Sequence, residues 1–493
     1  MRRMRTTSQA QRFARVAAVP GLRSGVVGGY VEPDSAPRTE RPSEAGVEQN
    51  DEEDVIPGID DNPEDTAKLA PSQRETLAAV RAGDNVLITG SGGSGKSFLV
   101  RRLIRTLRDE GRNVAVTAST GIASLHIGGS TIHSFLGTKL VGNIAEWEAQ
   151  TDVHALHYKV LERMRRARTI VLDEVSMLSG DYVDMMDAHL QTVCGSGRPF
   201  AGKQMVFVGD FLQLPPVVIP GTMLRYLYAF QSDAWRSANI RVRMLRENHR
   251  QEDGEFLHHL DALRIGHANN GTLKFLRERI NAELDVDDPL KLFPLNKLVN
   301  RVNVAGMMAL QPPQHAYESM MYGESRFWYR FHRDCNTPTR LLLRKGAKVI
   351  LTRNDYMEDF RNGERGTIIS MAATGRAKRG REAVVVEIEG KHARRVDVKP
   401  AAWEVLDAEG EVLSGMVQYP VRPAYAISIH KAQGMTLDNA VVNLQDCFAP
   451  GQAYVALSRV KTAGGLSIRG DINRDTVHAD EECVRFYEDC SKT

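Results

Sequence analysis

Short hydrophobic runs alternate with helical patterns through the first half of the chain. The run at residues 85–89 is followed by Leu99, Leu103 and Leu107, whose four-residue spacing predicts one apolar face of a helix. Further hydrophobic runs occupy residues 114–118, 169–173 and 205–208. Strands that alternate with helices predict a parallel sheet covered by helices, and therefore the α/β class.

The first run leads into a loop that fits the pattern G-x-x-x-x-G-K-[ST] at every fixed position. Backbone N–H groups of such a loop, and of the helix N-terminus behind it, can face phosphate oxygens. We expect the Lys96 ammonium to reach the β- and γ-phosphates of ATP and the Ser97 hydroxyl to ligate Mg²⁺. The predicted phosphate-binding residues are Gly90, Ser91, Gly92, Gly93, Ser94, Gly95, Lys96 and Ser97.

Polar side chains at the ends of the later runs extend the predicted ATP site. Asp173 can hold Mg²⁺, and Glu174 can orient and polarise the attacking water. Gln213 stands where a side chain could sense the γ-phosphate and pass its presence on to a substrate cleft. Gln73, seventeen residues before the loop, can donate and accept hydrogen bonds together, which suits an adenine edge.

Thr120, His133 and Phe135 follow the strand predicted at residues 114–118. The carboxyl ends of strands in open α/β sheets are where ligands bind. His133 could contact a backbone phosphate and Phe135 a base face, as in single-strand binding sites. A core position is the alternative for His133.

Composition and charge narrow the class of protein. The chain has 493 residues, 42% of them hydrophobic and 26% charged, and a net charge of +2, which neither favours nor excludes nucleic acid. No apolar run reaches the roughly 18 residues of a membrane span, so we predict no membrane helix. The five cysteines are scattered and form no CxxC pair, which argues against a disulfide framework or a zinc site.

The N-terminal part of the chain has a composition of its own. Residues 1–31 carry six arginines and no acidic residue, a pattern typical of an organellar transit peptide. A disordered basic tail is the alternative. Residues 32–65 are rich in proline and acidic residues and predict a disordered linker. We therefore expect a mitochondrial location, with the nucleus as the alternative.

Three further motifs lie beyond the first four hydrophobic runs: ENHRQ, SIHKAQGMT and AYVALSR. In chain order they follow TGSGGSGKS, TASTGIAS with GGSTIHSF, LDEVSML and GDFLQLPPV. With these motifs, residues 66–470 resemble the Pif family of superfamily-one DNA helicases, relatives of the bacterial RecD translocase. The resemblance implies an ATP-driven motor that moves 5′-to-3′ on single-stranded DNA and unwinds duplex or folded DNA in genome maintenance.

The resemblance also implies roles for residues at matching positions. Arg250 and Arg459 would be arginine fingers, Gly434 would lie near the γ-phosphate, and Gln213 would couple the nucleotide state to DNA. The implied DNA path consists of Thr120, His133, Phe135, His430, Lys431 and Thr436.

The family architecture is two RecA-like P-loop domains in tandem, with a small wedge insert and a small β-barrel insert. On this chain it predicts a first domain at 66–240, with the wedge at about 137–165. It predicts a second domain at 241–470, with the barrel at about 340–422. Residues 471–493 form a tail without a readable motif, and we expect a monomer. Two alternatives stay open: a helicase acting on RNA or RNA–DNA hybrids, and a remodelling ATPase that ignores DNA.

Overall fold

The computed structural model describes residues 69–491, except 121–122, 125–126, 139–155, 157, 217, 219–221, 252, 326–327, 329–330, 332–336, 354, 356–359, 361–362, 372–374, 377–381, 390–392 and 407–411. The predicted transit peptide, the predicted linker and most of the predicted wedge therefore lie outside the described residues. Among the described helices, none is both long enough and apolar enough to cross a membrane.

Six parallel strands form the sheet of the first domain. The strands are β1 (Val86–Thr89), β2 (Val114–Ala118), β3 (Ser130–Thr131), β4 (Thr169–Asp173), β5 (Gln204–Val208) and β6 (Arg241–Met244). They lie in the order β3-β2-β4-β5-β1-β6. Strands β1 and β4 are buried at every position, which fits the three consecutive apolar residues in each of them. This order brings the end of β1 beside the end of β5.

Helices that pack on this sheet complete the first domain. They are α1 (Pro71–Arg81), α2 (Lys96–Asp109), α3 (Ile132–Leu136), α4 (Tyr158–Arg166), α5 (Gly180–Cys194) and α6 (Asp233–Ser237). Helix α2 buries the leucines of its predicted apolar face. Helix α5 starts at Ser179, whose side chain accepts a hydrogen bond from the Tyr182 N–H and so caps the helix.

The second domain begins after β6. Its helices are α7 (Gly254–Arg264), α8 (Asn270–Arg277), α9 (Asn296–Met308), α10 (Ile429–Ala432) and α11 (Gln452–Leu457). Its strands are β7 (Leu290–Phe293), β8 (His315–Glu318), β9 (Met320–Gly323), β10 (Arg340–Leu343), β11 (Lys348–Leu351), β12 (Arg365–Ser370), β13 (Gly375–Arg376), β14 (Val384–Ile388), β15 (Arg394–Val398), β16 (Ala401–Leu406), β17 (Val412–Gln418), β18 (Val421–Pro423), β19 (Ala426–Ser428), β20 (Ala440–Asn443) and β21 (Leu466–Arg469).

Two kinds of sheet make up this domain. Strands β19, β7, β20 and β21 form a second parallel sheet with its own hydrophobic core. An antiparallel sheet, β15-β14-β12-β11-β18, and two three-stranded sheets form the insert. Two parallel-sheet domains in one chain confirm the predicted tandem α/β fold. Strands β8 and β9 pair with insert strands, so the strand-rich insert begins before the predicted residue 340.

Two segments lie in a different domain from the predicted one. Strand β6, at the predicted start of the second domain, pairs with β1 and completes the first sheet, because its backbone groups fill the edge of that strand. The predicted tail contains a helix, α12 (Glu481–Ser491), whose Cys483 and Tyr487 are buried in the core of the first domain. Both ends of the described chain therefore belong to the first domain.

Candidate functional site: a phosphate cleft between two domains

The P-loop follows β1 and ends at the N-terminus of α2, as predicted. Gly93 has φ +94°, and a Cβ there would lie 2.4 Å from the Cβ of Arg250. A Cβ on Gly92 would lie 3.0 Å from Nη2 of Arg459. The glycines are therefore needed both for the backbone conformation and for the close approach of the second domain.

Lys96 points into its own loop. Its ammonium donates hydrogen bonds to the carbonyl oxygens of Gly90 (2.8 Å) and Ser91 (3.0 Å). Burial lowers the pKa of Lys96 to about 8, although the charges of Asp210 and Glu174 oppose that shift. A buried ammonium with a weakened proton affinity gains from an anion, and a nucleotide phosphate supplies one.

Asp173 ends strand β4, and Glu174 follows it and lines the same cavity as the P-loop. Burial raises the pKa of Asp173 to about 6. Burial together with the Asp173 charge raises the pKa of Glu174 to about 7. Glu174 also has a left-handed backbone, with φ 53°. Strained backbone and shifted pKa values cluster at functional sites, and a carboxylate of this pKa suits a general base near neutral pH.

The chemistry of Ser97 and Asp173 fits Mg²⁺. The ion takes oxygen ligands and commonly binds through one or two carboxylates plus substrate phosphates. Asp173 is only 8% exposed, so a cation would offset the burial that disfavours its charge. Ser97 lines the same cavity as the P-loop glycines. These two side chains would hold the ion.

Gln213 lies where the two domains meet. Leu212 belongs to the core of the first domain and Leu214 to that of the second, so the residue between them joins both. The Gln433 amide, from the second domain, donates hydrogen bonds to Oε2 of Glu174 (2.9 Å) and Oε1 of Gln213 (3.4 Å). Gln433 thus links the predicted base to the predicted coupling residue.

Both predicted arginine fingers face the P-loop from the second half of the chain. Arg459 is 1% exposed and donates to the Val455 carbonyl (2.7 Å) and the Ser458 hydroxyl (2.8 Å). Burial and the charge of Arg250 lower the pKa of Arg459 to about 9. Two neighbouring guanidinium groups, the buried one of Arg459 and the partly buried one of Arg250, favour an anion between them and the P-loop.

The P-loop, Glu174, Gln213, Arg250 and Arg459 line one cavity of about 360 Å³, which we call the phosphate cavity. Gly434, with φ 82°, lines it as predicted, and so does His249. Gln73 is buried, accepts a hydrogen bond from the Ala70 N–H (3.1 Å), and lies against Gly95. The structure therefore brings the predicted phosphate, metal and finger residues together and places the predicted adenine reader next to them.

The predicted DNA path is brought together only in part. Thr120 accepts a hydrogen bond from the Ala123 N–H, and the His133 ring lies 4.6 Å from the ring of Tyr182. The prediction for Phe135 is wrong: it is 6% exposed and lies in the core of the first domain, because α3 turns its apolar side inward. A base cannot stack on a ring that the core covers.

In the second domain, the predicted DNA residues separate. Lys431 lines a groove of about 530 Å³ together with Arg422, and burial and the Arg422 charge lower the pKa of Lys431 to about 8. Burial also lowers the pKa of His430. Thr436 instead lines the phosphate cavity, and its hydroxyl accepts a hydrogen bond from Arg250 Nε (3.1 Å). Lys431 of α10 thus lines the groove, whereas Gly434 and Thr436, in the turn after α10, line the cavity.

Sequence reasoning missed several site residues. The Gly92 N–H donates to the Tyr454 hydroxyl (2.9 Å), and Arg264 forms a buried bidentate ion pair with Asp210 (2.8 and 2.9 Å). Gln433, Tyr454 and Asp210 all lie within the motifs given above, and those motifs could have identified them as candidate site residues. Arg264 stands in none of them, and its role follows only from the contact between domains.

Comparisons with known proteins agree with this geometry. A family model described as PIF1-like helicase matches residues 68–270. The chain is 33% identical over 425 residues to the ATP-dependent DNA helicase Pif1 of Bdellovibrio bacteriovorus, covering 85% of this chain and 92% of that protein. It is 32% identical over 428 residues to the ATP-dependent DNA helicase PIF1 of Xenopus laevis, covering 86% of this chain and 65% of that protein.

Solved structures have the same fold. The crystal structure of Pif1 helicase from Candida albicans has a TM-score of 0.70 and 32% identity, with 85% of this chain and 99% of that chain covered. Pif1 from Bacteroides sp in complex with ADP-AlF4 has a TM-score of 0.73 and 24% identity (86% and 97% covered). Bacteroides Pif1 bound to ssDNA has a TM-score of 0.64 and 24% identity (85% and 96% covered).

The identity to the Bdellovibrio bacteriovorus protein extends over most of both chains. It confirms the resemblance that the ordered motifs carry, and with it the predicted enzyme class. The chain therefore belongs to the PIF1-like helicase family of ATP-dependent DNA helicases.

Proposed function

We propose that this chain hydrolyses ATP to move 5′-to-3′ along single-stranded DNA and thereby unwinds duplex or folded DNA. One observation carries the proposal: Lys96 and Glu174 of the first domain face Arg250, Gln433 and Arg459 of the second across a single cavity. A site shared in this way changes its chemistry whenever the domains move. The names and bound ligands of the relatives support DNA as the substrate, and the family resemblance alone supports the direction.

Residues of both domains contribute to ATP hydrolysis. Glu174 accepts the proton of the attacking water at a carboxylate oxygen, for which a pKa of about 7 is well placed. Lys96, Arg250 and Arg459 stabilise the negative charge that develops on the transferred phosphoryl group. Mg²⁺, when bound, neutralises charge on the phosphate oxygens. Hydrogen bonds from Gln433 fix the Glu174 and Gln213 side chains relative to each other, so the second domain responds to changes at Glu174.

Movement follows if each domain grips the strand in turn. Closing the cleft on ATP and reopening it after hydrolysis would advance the chain by about one nucleotide per cycle. The groove beside Lys431 and Arg422 offers positive charge for phosphates on the second domain. Binding that depends on phosphate contacts is largely independent of sequence and weakens steeply with salt.

The test is ATP hydrolysis by the full chain with and without single-stranded DNA, beside Lys96→Ala. We expect stimulation of about tenfold or more, lost in the variant. Forked duplexes with a single 5′ or 3′ tail then report the direction, and a 3′-tail preference would overturn it. Matched RNA strands test the RNA alternative, and a rate that ignores both nucleic acids would favour the remodelling ATPase.

We also propose that the protein acts in the mitochondrion, in replication, repair or recombination of DNA. The support is the arginine-rich, acid-free composition of residues 1–31. Imaging of a tagged full chain, beside a chain lacking residues 1–31, tests this. Mitochondrial signal that persists without those residues, or nuclear signal with them, would contradict the proposal.

A further inference from the structure

The C-terminal helix α12 reaches the ATP site from a part of the chain that carries no family motif. It packs on the first domain, where Phe486 stacks on Phe230 with ring centroids 4.3 Å apart. Cys483 and Tyr487 on the same face are buried. The face therefore holds the helix against the carboxyl-end edge of the first sheet.

The Tyr487 hydroxyl joins two strand ends of that sheet. It lies 2.8 Å from the Thr89 hydroxyl, at the end of β1 and next to the first P-loop glycine. It accepts a hydrogen bond from the Phe211 N–H (3.1 Å), in the loop after β5. Burial and the nearby Asp210 charge raise the pKa of Tyr487, so its proton stays available for donation.

The second of these ends carries the groups that couple the domains. Asp210 is bound by Arg264 of the second domain and lies 3.5 Å from the Tyr487 hydroxyl. Asp210 in turn positions Gln213, whose amide donates to its carboxylate (3.3 Å). The Arg264 guanidinium lies over the Tyr487 ring, 5.3 Å from its centroid. One side chain thus contacts the P-loop strand, the Gln213 loop and the interdomain ion pair.

We propose that Tyr487 is a positioning residue for ATP hydrolysis: its hydroxyl fixes the P-loop strand and the Gln213 loop relative to each other. Tyr487 is not among the residues that line the phosphate cavity, and it acts through Asp210 and Gln213. The proposal rests on the ATP hydrolysis of the proposed function. A misplacement of catalytic groups by a fraction of an ångström lowers turnover far more than it lowers substrate binding.

The experiment uses Tyr487→Phe in the full chain, which removes the hydroxyl and keeps the ring. We expect kcat of DNA-stimulated ATP hydrolysis to fall about tenfold, with KM for ATP within about twofold. Tyr226→Phe is the matched control, because it removes a hydroxyl bonded to Asp233 on the surface of the same domain. That variant should keep the wild-type kcat.

A second variant separates positioning from packing. Phe486→Leu loosens α12 without removing a polar contact, and we expect it to lower the Tm while kcat at 25 °C stays within about twofold. The inference is overturned if Tyr487→Phe keeps the wild-type kcat, or if both α12 variants lose kcat in proportion to their loss of Tm. An inactive wild-type protein would instead overturn the proposed function.

Discussion

At the scale of single residues, the position of Phe135 decides what its replacement should do. Its ring lies in the first core, 6% exposed. Removing a buried phenylalanine ring costs about 3–5 kcal/mol of folding free energy. Phe135→Ala should therefore lower the urea midpoint, while single-stranded DNA affinity of the folded protein stays within about twofold. His133→Ala, a substitution on the same helix, is compared with it for both the urea midpoint and the DNA affinity. A stable Phe135→Ala that binds no DNA would contradict this view.

The Asp210–Arg264 ion pair predicts a dependence of stability on pH. Burial alone would raise the pKa of Asp210, but the Arg264 charge and hydrogen bonds outweigh it, and the pKa is lowered. A lowered folded pKa gives stability that is complete above the unfolded value, near 4, and is lost as pH falls through the folded value. Asp210→Asn should remove that acid-dependent part of the stability.

At pH 7, Asp210→Asn leaves Arg264 buried without its partner and should cost about 3–5 kcal/mol. The measurement is the urea midpoint at several pH values. Asp84→Asn is the control, because Asp84 pairs with Arg241, whose side chain is 57% exposed, and such pairs contribute about 1 kcal/mol or less. Equal losses of stability in Asp210→Asn and Asp84→Asn would mean that the buried ion pair contributes no more stability than the exposed one.

Sequence reasoning locates residues whose surroundings follow from their own segment. Lys96 begins helix α2 directly after the P-loop, and Asp173 and Glu174 lie at the end of β4, where the local pattern predicts the element and suggests the chemistry. Phe135 shows the limit, because an aromatic residue in a motif can serve the core as easily as a ligand. Tyr487 shows another: its contacts lie hundreds of residues away in sequence, and no local pattern encodes them.

At the scale of elements, the start of α11 packs closely against the loop that carries Gln213. Gly451 has φ +72°, and a Cβ there would lie 2.3 Å from the carbonyl oxygen of Gln213. Gly451→Ala should therefore displace the helix that carries Tyr454 and should lower both stability and DNA-stimulated ATP hydrolysis. The loss of stability should exceed the roughly 1 kcal/mol that an alanine at positive φ costs by itself.

Gly195→Ala is the matched control for that substitution. Gly195 ends α5 with φ +62°, and a Cβ there meets nothing within 4 Å. This variant should show the backbone cost alone, measured as a small fall in Tm with normal ATP hydrolysis. If the two alanine variants behave alike, contact between α11 and the Gln213 loop does not constrain the site.

Strand β6 and helix α12 show why domain boundaries are difficult to predict from the sequence. Both lie beyond the segment that motif order assigns to the first domain, yet both complete it. Strand β6 is only partly buried and carries two arginines, so its sequence resembles a surface segment more than a strand. Its place depends on the free edge of β1, a property of the assembled sheet.

At the scale of the whole molecule, Arg459 should matter for turnover and little for nucleotide binding. It lines the phosphate cavity from the opposite domain, and as the predicted arginine finger we expect its charge to act chiefly on the transition state. Arg459→Ala should lower kcat by about 10³–10⁵. The affinity for a fluorescent ATP analogue should change by less than about tenfold. Arg474→Ala, an exposed arginine outside the cavity, should match the wild type.

The return of the chain to the first domain limits how the second domain can move. The backbone leaves the first core after Met244 and comes back between Val477, in the second core, and Ala479, against the first. Two chain connections restrict the second domain to rotation about the line that joins them, whereas a single connection would let it rotate in any direction. A single proteolytic nick near residue 478 would therefore remove one of the two connections, and fluorophores at the two ends of the described chain, both in the first domain, would not report the rotation of the second domain.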